Sequence, residues 1–325
     1  MKKVAIVCGG YDDERFLSFL SADNAEQHLA KKFKTYRIVL AETDFSFVYQ
    51  TQQGTFPVNR TDFTFLDENG IRIRPDVALM LIHGEPGSSG ALLAYFELLK
   101  MPFTCNKSLT ASLLFNKRFT NLIASSLGVP VPKSLWMQRG DAVPTLAMLE
   151  TLGFPAIVKP VNGGFSLGVS RILNYGELQH ALEVAFKEDH QVLIESFITG
   201  REIAIGVMRT QDGIRTLPCC EVRSKSGFLS YEDKTTPNRV TKTIPALLAA
   251  SEQNALETIA KKLYQQFECK GVIRVDFILS ENGNPVLLEI NSVPGMAALS
   301  IIPDAVNVLG WTMEHFFAQL IEMAV

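Results

Sequence analysis

The sequence lacks a strong excess of charge of either sign. Its 325 residues hold 31 Lys and Arg against 34 Asp and Glu, a formal net charge of −3. Such a balance has none of the electrostatic footprint of a nucleic-acid binder. The short basic pairs Lys2-Lys3 and Lys31-Lys32 read as solvated surface. Cysteine is sparse and unpatterned: Cys8, Cys105, Cys219, Cys220 and Cys269 show no CxxC or other metal-ligand spacing. An odd count without a secretion signal favours reduced thiols in the cytosol. Cys219-Cys220 reads as two buried thiols on a strand rather than a redox pair. Long apolar runs are missing as well. Val4–Cys8 stops at Gly9-Gly10, too short for a signal core, and no run could span a bilayer. There is no fixed-period repeat, no GxxxxGK[ST] P-loop and no dinucleotide GxGxxG fingerprint. What remains is expected to be a cytoplasmic globular chain of two or three domains. Its 47% hydrophobic residues are enough for real cores.

The residues that are present fall into strand and helix patterns. Val4–Cys8 reads as a buried strand ending in a tight turn at Gly9-Gly10. Phe16, Leu17, Leu20 and Leu29 recur at helical spacing, which predicts a helix over 14–31. Tyr36–Ala41 and Val77–Ile82 are further strands, and a helix is predicted from Ser89 to Leu99. This alternation implies an α/β, Rossmann-like first domain over 1–103. Residues 104–190 read as a smaller α+β domain. It has a helix over Leu109–Leu127, a Pro-rich join at Val129-Pro130-Val131-Pro132 and a strand at Ala156–Lys159. That strand leads into the glycine-rich stretch Asn162-Gly163-Gly164-Phe165-Ser166-Leu167-Gly168. Residues 191–325 carry strands at Val192–Glu195, Glu202–Met208 and Leu217–Val222, and a helix at Ser251–Phe267. A hairpin and a C-terminal helix from about Thr312 complete the chain.

The hairpin carries the most chemistry. Val272–Leu279 and Pro285–Asn291 are β-rich runs separated by Ser-Glu-Asn-Gly-Asn, and Asn-Gly is a strong two-residue turn signal. A turn at Asn282-Gly283 sets Asp276 opposite Glu289 and Arg274 opposite Asn291, all on one face. Facing carboxylates on an apolar hairpin are costly unless a cation joins them. Hard oxygen ligands suit Mg²⁺, which takes one or two carboxylates plus substrate phosphates. The plain alternative is that Arg274 pairs with both acids as a structural cluster. The glycine-rich stretch after Lys159 could offer N–H groups to phosphates, or could be a turn with no ligand. Asn291-Ser292-Val293-Pro294-Gly295-Met296 could aim a backbone N–H at a developing oxyanion, or be an ordinary turn. His83-Gly84 ends a strand at the carboxyl edge of the first sheet, where α/β proteins place ligands. A satisfied structural histidine fits there equally.

Taken in order, these segments resemble D-alanine–D-alanine ligases and, through them, the ATP-grasp superfamily. The resemblance runs from Lys3 to near Ala324. It is carried by Gly9-Gly10…Glu14-Arg15, Ile82-His83-Gly84, Asn116-Lys117, Ile157-Val158-Lys159-Pro160 and Gly164-Phe165-Ser166-Leu167-Gly168. Further on come Ile194-Glu195…Gly200-Arg201-Glu202, Tyr231-Glu232-Asp233-Lys234, Arg274-Val275-Asp276-Phe277 and Leu288-Glu289-Ile290-Asn291-Ser292-Val293-Pro294-Gly295-Met296. The resemblance implies a Rossmann-like N-terminal domain followed by a two-domain ATP-grasp fold. It implies an ADP-forming carboxylate–amine ligase that works through an acyl phosphate. The reaction it points to joins D-alanine to D-alanine for peptidoglycan precursors. ATP and Mg²⁺ (or Mn²⁺) would be its cofactors, its partners small amino-acid substrates, and its form a homodimer with no membrane contact.

By the same resemblance Lys117, Lys159 and Ser166 would meet the ATP phosphates, Glu195 adenine and Glu202 the ribose. Asp276, Glu289 and Asn291 would hold the metal. Glu14 would bind the first ammonium group, with His83 at the same substrate site. Arg274 and the Gly295 N–H would receive the oxyanion, and Lys234, Ser300 and Ile301 the second substrate. The 226–240 loop would close over the cleft.

The sequence departs from the family around the amino-acid subsites. Phe165 stands where the glycine-rich loop usually has a serine, and Thr235 where a tyrosine usually follows the loop lysine. Gly87-Ser88-Ser89-Gly90 replaces an acidic turn, and Leu299 replaces a histidine. These changes keep open a ligase joining another amino-acid or hydroxy-acid pair. A nucleotide-binding protein without ligase activity is opposed by the retained Lys, Arg and metal positions. A nicotinamide-dependent oxidoreductase explains none of the later motifs.

Overall fold

The computed structural model describes residues 1–12, 14–225, 227–236 and 238–325, with the backbone alone described at Thr235. The expected strand–helix alternation is present in the first hundred residues. The elements are β1 (Lys3–Gly9), α1 (Arg15–Leu29), β2 (Lys34–Leu40), β3 (Phe47–Thr51), β4 (Gly54–Pro57), β5 (Phe65–Leu66), β6 (Arg72–Ile73), β7 (Val77–Met80) and α2 (Ala91–Leu98). They form a sheet of order β4-β3-β2-β1-β7 and a small β5-β6 ribbon. β1 pairs in parallel with β2 and β7, while β3 and β4 extend the sheet antiparallel. Val4 to Cys8 are all 0% exposed, as a central parallel strand covered on both faces requires.

The side of α1 that is buried differs from the apolar spacing that predicts the helix. Its buried residues are Ser18, Ser21, Ala22, Asn24, Ala25 and Leu29, whereas Phe16 is 66% exposed. Small side chains let the helix lie close to β1. Ser18 takes the Gly9 N–H at 2.9 Å and donates to the Leu81 carbonyl at 2.7 Å. Periodicity of large residues alone could not show this.

The helix expected over Leu109–Leu127 is two helices, α3 (Ser108–Phe115) and α4 (Lys117–Ser126). Asn116 breaks them, with extended dihedrals and a side chain that accepts from Phe119 N at 3.0 Å. This is an ordinary N-cap, and it places Lys117 at the first position of α4. Leu114, Ala124 and Val129 pack with Ile203, Ile205 and Ile273. This connecting pair of helices therefore packs on the last third of the chain.

Next come β8 (Ser134–Gln138), α5 (Leu146–Glu150), β9 (Ala156–Pro160), β10 (Ser170–Ile172), α6 (Leu178–Glu188) and β11 (Gln191–Ser196). Their sheet runs β10-β9-β11-β8, antiparallel throughout. β11, which begins just past the boundary expected at 190, is an interior strand of this sheet, paired with both β8 and β9.

The remaining elements are β12 (Gly200–Thr210), β13 (Gly213–Thr216), β14 (Cys220–Ser224), α7 (Tyr231–Thr235), β15 (Val240–Thr243), α8 (Ala250–Gln266), β16 (Val272–Ser280), β17 (Pro285–Asn291), α9 (Ile301–Val308) and α10 (Met313–Met323). The strand expected at Leu217–Val222 begins at Cys220 instead, with β13 preceding it as a separate strand. The sheet order is β15-β14-β12-β16-β17, with β13 also on β12. Residues of β1, α1 and α10 share one core with Met208 and Val272. All five cysteines are buried free thiols. Among the described residues no helix is long and apolar enough to cross a membrane.

Candidate active site

The site begins with the β16–β17 hairpin. Arg274 faces Asn291 and Asp276 faces Glu289, as the sequence predicts. The turn does not. Gly283 N donates to the Ser280 carbonyl at 2.8 Å and Ser280 N to the Asn284 carbonyl at 3.1 Å. The loop is therefore Glu281-Asn282-Gly283, and within it only Gly283, at φ 74°, is left-handed. A three-residue loop shifts every pair by one, and a bulge between Asp276 and Phe277 shifts them back. Leu287 and Ile290 enter the core, while the successive residues Leu288 and Glu289 both face the cleft. Re-aiming a side chain is a common use of a bulge beside a site.

The hairpin's polar groups are bonded to one another. Arg274 Nε and Nη2 approach the two Asp276 oxygens at 2.8 and 2.7 Å. Asn291 Nδ2 lies 3.0 Å from Asp276 Oδ2 and 3.4 Å from Glu289 Oε1. Burial acts to raise the Glu289 carboxyl, but Lys117, Lys234, Arg274 and Lys159 outweigh it and bring the group down to about 2. Glu14 and Glu202 go the other way. Burial pushes each up to about 7, helped by Asp12 and Glu289 at Glu14 and by Asp276 at Glu202. Acids that raise one another's pKa at one place are what a divalent cation would relieve. No group of three or more His, Cys, Asp or Glu side chains converges among the described residues. The donor set of two carboxylates and one carboxamide fits a metal that takes its other ligands from phosphate and water.

The opposite wall comes from the central sheet. Lys159 Nζ and Glu195 Oε2 form a 2.6 Å ion pair, with side chains 10% and 3% exposed. Asn121 Nδ2 donates to Glu195 Oε1 at 3.0 Å. Lys117 donates to the Gly163 carbonyl, and burial moves its ammonium below the usual lysine range. Between the walls lies a cleft of about 410 Å³ lined by Lys117, Lys159, Glu195, Glu202, Asp276 and Glu289, among others. Ser166 and Lys234 also line it. A smaller adjoining recess holds Glu14, Asn291, Gly163 and Gly164. A Cβ on Gly164 would lie 2.4 Å from Glu14 Oε1, so a side chain there would push the Glu14 carboxylate aside.

Other expected site residues are not among those lining these two recesses. His83 is 2% exposed, with Nδ1 2.9 Å from the Val293 carbonyl and Nε2 2.9 Å from Ser21 Oγ. Burial holds it neutral, down to about 4. Met296 N donates to Ser21 Oγ at 3.1 Å, and Asn24 Nδ2 to the Met296 carbonyl at 2.7 Å. His83 and α1 thereby pin the turn that carries Gly295. Ser300 is the N-cap of α9, and its Oγ is 3.0 Å from where a Gly295 Cβ would stand. Ile301 packs on Ala204, Cys220 and Val222. The Thr235 side chain, Ser226 and Pro237 lie outside the described residues.

Two features escape the sequence reading. Asn121 lies one helical turn beyond Lys117 on α4, a spacing that does place it on the same face. Glu221 is held between Arg201 and Arg223, each at 2.7 Å. No local pattern signals that pairing, because Arg201 and Glu221 meet only when β12 pairs with β14.

Comparison with known proteins agrees with this geometry. The family model for the D-Ala D-Ala ligase C-terminus matches residues 123–322. The chain is 36% identical to the D-alanine–D-alanine ligase of Azobacteroides pseudotrichonymphae, covering 99% of both chains. It is 33% identical to that of Flavobacterium johnsoniae, covering 100% of this chain and 99% of the relative. Among solved structures, the VanG D-Ala:D-Ser ligase from Enterococcus faecalis is similar at a TM-score of 0.88 and 27% identity, over 100% of this chain and 99% of that one. A D-alanine–D-alanine ligase from Bacillus anthracis complexed with ATP shares the fold at a TM-score of 0.80 and 22% identity, over 100% of this chain and 97% of that one. Full-length likeness and the facing acids of one hairpin lead to the same place: the chain belongs to the D-alanine–D-alanine ligase family of ATP-grasp enzymes.

Proposed function

We propose that this chain joins D-alanine to D-alanine, forming ADP and phosphate by way of a D-alanyl phosphate. The observation that carries the reading is the Asp276–Glu289 pair, flanked by Arg274 and Asn291, across one cleft from Lys117 and Lys159. In the first half-reaction the carboxylate of one D-alanine attacks the γ-phosphorus and ADP leaves. In the second, the amine of another D-alanine attacks the acyl carbon and phosphate leaves. Both halves move negative charge, so fixed cations supply most of the acceleration.

Lys117 and Lys159 would bind the phosphates, with the loop at Ser166 covering them. Glu195 and Glu202 would receive the adenine and ribose ends. Asp276, Glu289 and Asn291 would hold Mg²⁺, which when bound neutralises phosphate charge. Arg274, already fixed by Asp276, would turn its free donor edge to the transferring group. Glu14 would hold the first ammonium group, and the Gly295 N–H the oxyanion. Lys234, Ser300 and Ile301 would seat the second substrate. His83 would act through the Val293–Met296 turn it pins. The nucleotide-binding pair of domains would follow a Rossmann-like substrate domain, and the enzyme would act in the cytoplasm as a homodimer.

The test is ADP release by the purified protein with Mg²⁺-ATP and a panel of D- and L-amino acids, with products identified by mass. A D-alanyl-D-alanine product supports the proposal, and absence of ADP with every acid rejects it. A second reading, a different acceptor such as D-serine, is favoured by the likeness to the D-Ala:D-Ser ligase and by Phe165 at the loop. A mixed dipeptide as the main product would select it.

A further inference from the structure

The glycine-rich loop and α7 meet at the mouth of the cleft through contacts that include two side chains the chemistry above leaves unused, Phe165 and Tyr231. Phe165 lies in the left-handed region at φ 55°, followed by Ser166 at φ 61°. A bulky residue keeps such a conformation only where its surroundings over-determine it. Here α7 provides them. The Phe165 ring meets Tyr231 edge-on, with centroids 6.1 Å apart and 71° between planes. Lys234 Nζ lies 5.8 Å from the centroid of the same ring, within the range of attraction between a cation and an aromatic face. Tyr231 and Lys234 are three residues apart on one short helix, so they present one side of it. Ser166 adds a third tie, donating from Oγ to the Leu229 carbonyl at 2.9 Å.

Lys234 is the cation that this segment brings to the acids. It lies near enough to Glu14, Glu202 and Glu289 to favour the ionised form of each. The serine that the family usually carries in place of Phe165 has no ring to offer it.

We propose that Phe165 is a positioning residue for Lys234: its ring receives the ammonium group, its edge contact with Tyr231 fixes α7, and the lysine is thereby presented to the substrate end of the cleft. Phe165 touches no reacting atom in this role. It replaces a hydroxyl anchor of the loop with an aromatic one. In its kinetic consequence the inference rests on the ligase reading; in its structural consequence it does not.

The experiment compares Phe165→Leu, which keeps apolar bulk without a π face, with Phe165→Tyr, which keeps the ring. Two readouts are taken: backbone hydrogen exchange over 228–235 in the ATP-free protein, and the KM and kcat of ADP release for the acceptor amino acid. Phe165→Leu is expected to speed exchange about threefold to tenfold. It is expected to raise KM by a similar factor with a smaller change in kcat, because fewer molecules hold Lys234 in place. Phe165→Tyr is expected to match the wild type in both. Wild-type exchange in Phe165→Leu, or a Phe165→Tyr protein no better than the leucine variant, overturns the proposal. If no variant or wild type releases ADP while exchange follows the expected order, the ligation reading falls and the role of Phe165 stands.

Discussion

Asp276 faces Glu289 across the β16–β17 hairpin at the last matched pair before the ladder slips by one residue. The slip is what keeps Glu289 out of the core, since Leu287, two residues earlier, is fully buried there. Asp276→Asn and Glu289→Gln are expected to lower ADP release at least about a hundredfold, since each weakens the hold on the cation that would neutralise phosphate charge. Asp276→Asn also breaks the pair with Arg274, so its thermal stability should fall as well. Full activity in either variant would falsify the metal assignment.

Lys159 and Glu195 form a buried pair, and breaking one side should cost more than removing both. Lys159→Met leaves the Glu195 carboxylate buried and is expected to destabilise by about 3–5 kcal/mol in urea unfolding. Adding Glu195→Leu should recover much of that loss, while ATP affinity stays impaired because the phosphate-binding cation is still missing. Recovery of ATP binding in the double variant would remove Lys159 from the phosphate site.

The Glu14 carboxyl is raised from 4.5 to about 7, mainly by burial. Between those pH values the folded protein holds a proton that the unfolded chain has released. Its contribution to stability therefore falls as pH rises through that window. In ligand-free protein, Glu14→Gln is expected to be more stable than wild type by about 3 kcal/mol at pH 8, and equal to it at pH 4. The same variant should lose affinity for the first amino acid. Equal stability at both pH values would show that the carboxyl is not held in this environment.

His83 has the opposite sign. Burial brings it from 6.5 down to about 4, so between these values the unfolded chain binds the proton and the folded protein does not. Stability contributed by neutral His83 is complete above pH 6.5 and is lost as pH falls toward 4, by roughly 3 kcal/mol in all. His83→Gln should flatten that part of the stability–pH curve. It should also lower kcat by loosening the turn at Gly295, since the Val293 carbonyl and Ser21 lose a partner. An unchanged slope would mean that the imidazole is not buried neutral.

The sequence by itself determined the types of most elements and the facing polar residues of the β16–β17 hairpin. Unbroken apolar strands, the Asn-Gly turn signal and ordered short motifs act over a few residues, and local chemistry is sufficient to write them. It also showed where the chain leaves its family, at Phe165. It did not show the Glu281-Asn282-Gly283 loop or the compensating bulge at Leu288, because two errors of one residue cancel at the acids. Nor did it show that α1 buries Ser18, Ser21 and Ala22 while exposing Phe16, because close approach to a sheet is a property of the pair. Only tertiary structure decided that His83 stands behind the Val293–Met296 turn, that Asn121 meets Glu195, and that the Phe165 ring lies under Lys234. Each of these joins residues from separate elements. Their energies come from burial and geometry that exist only once the sheets have packed.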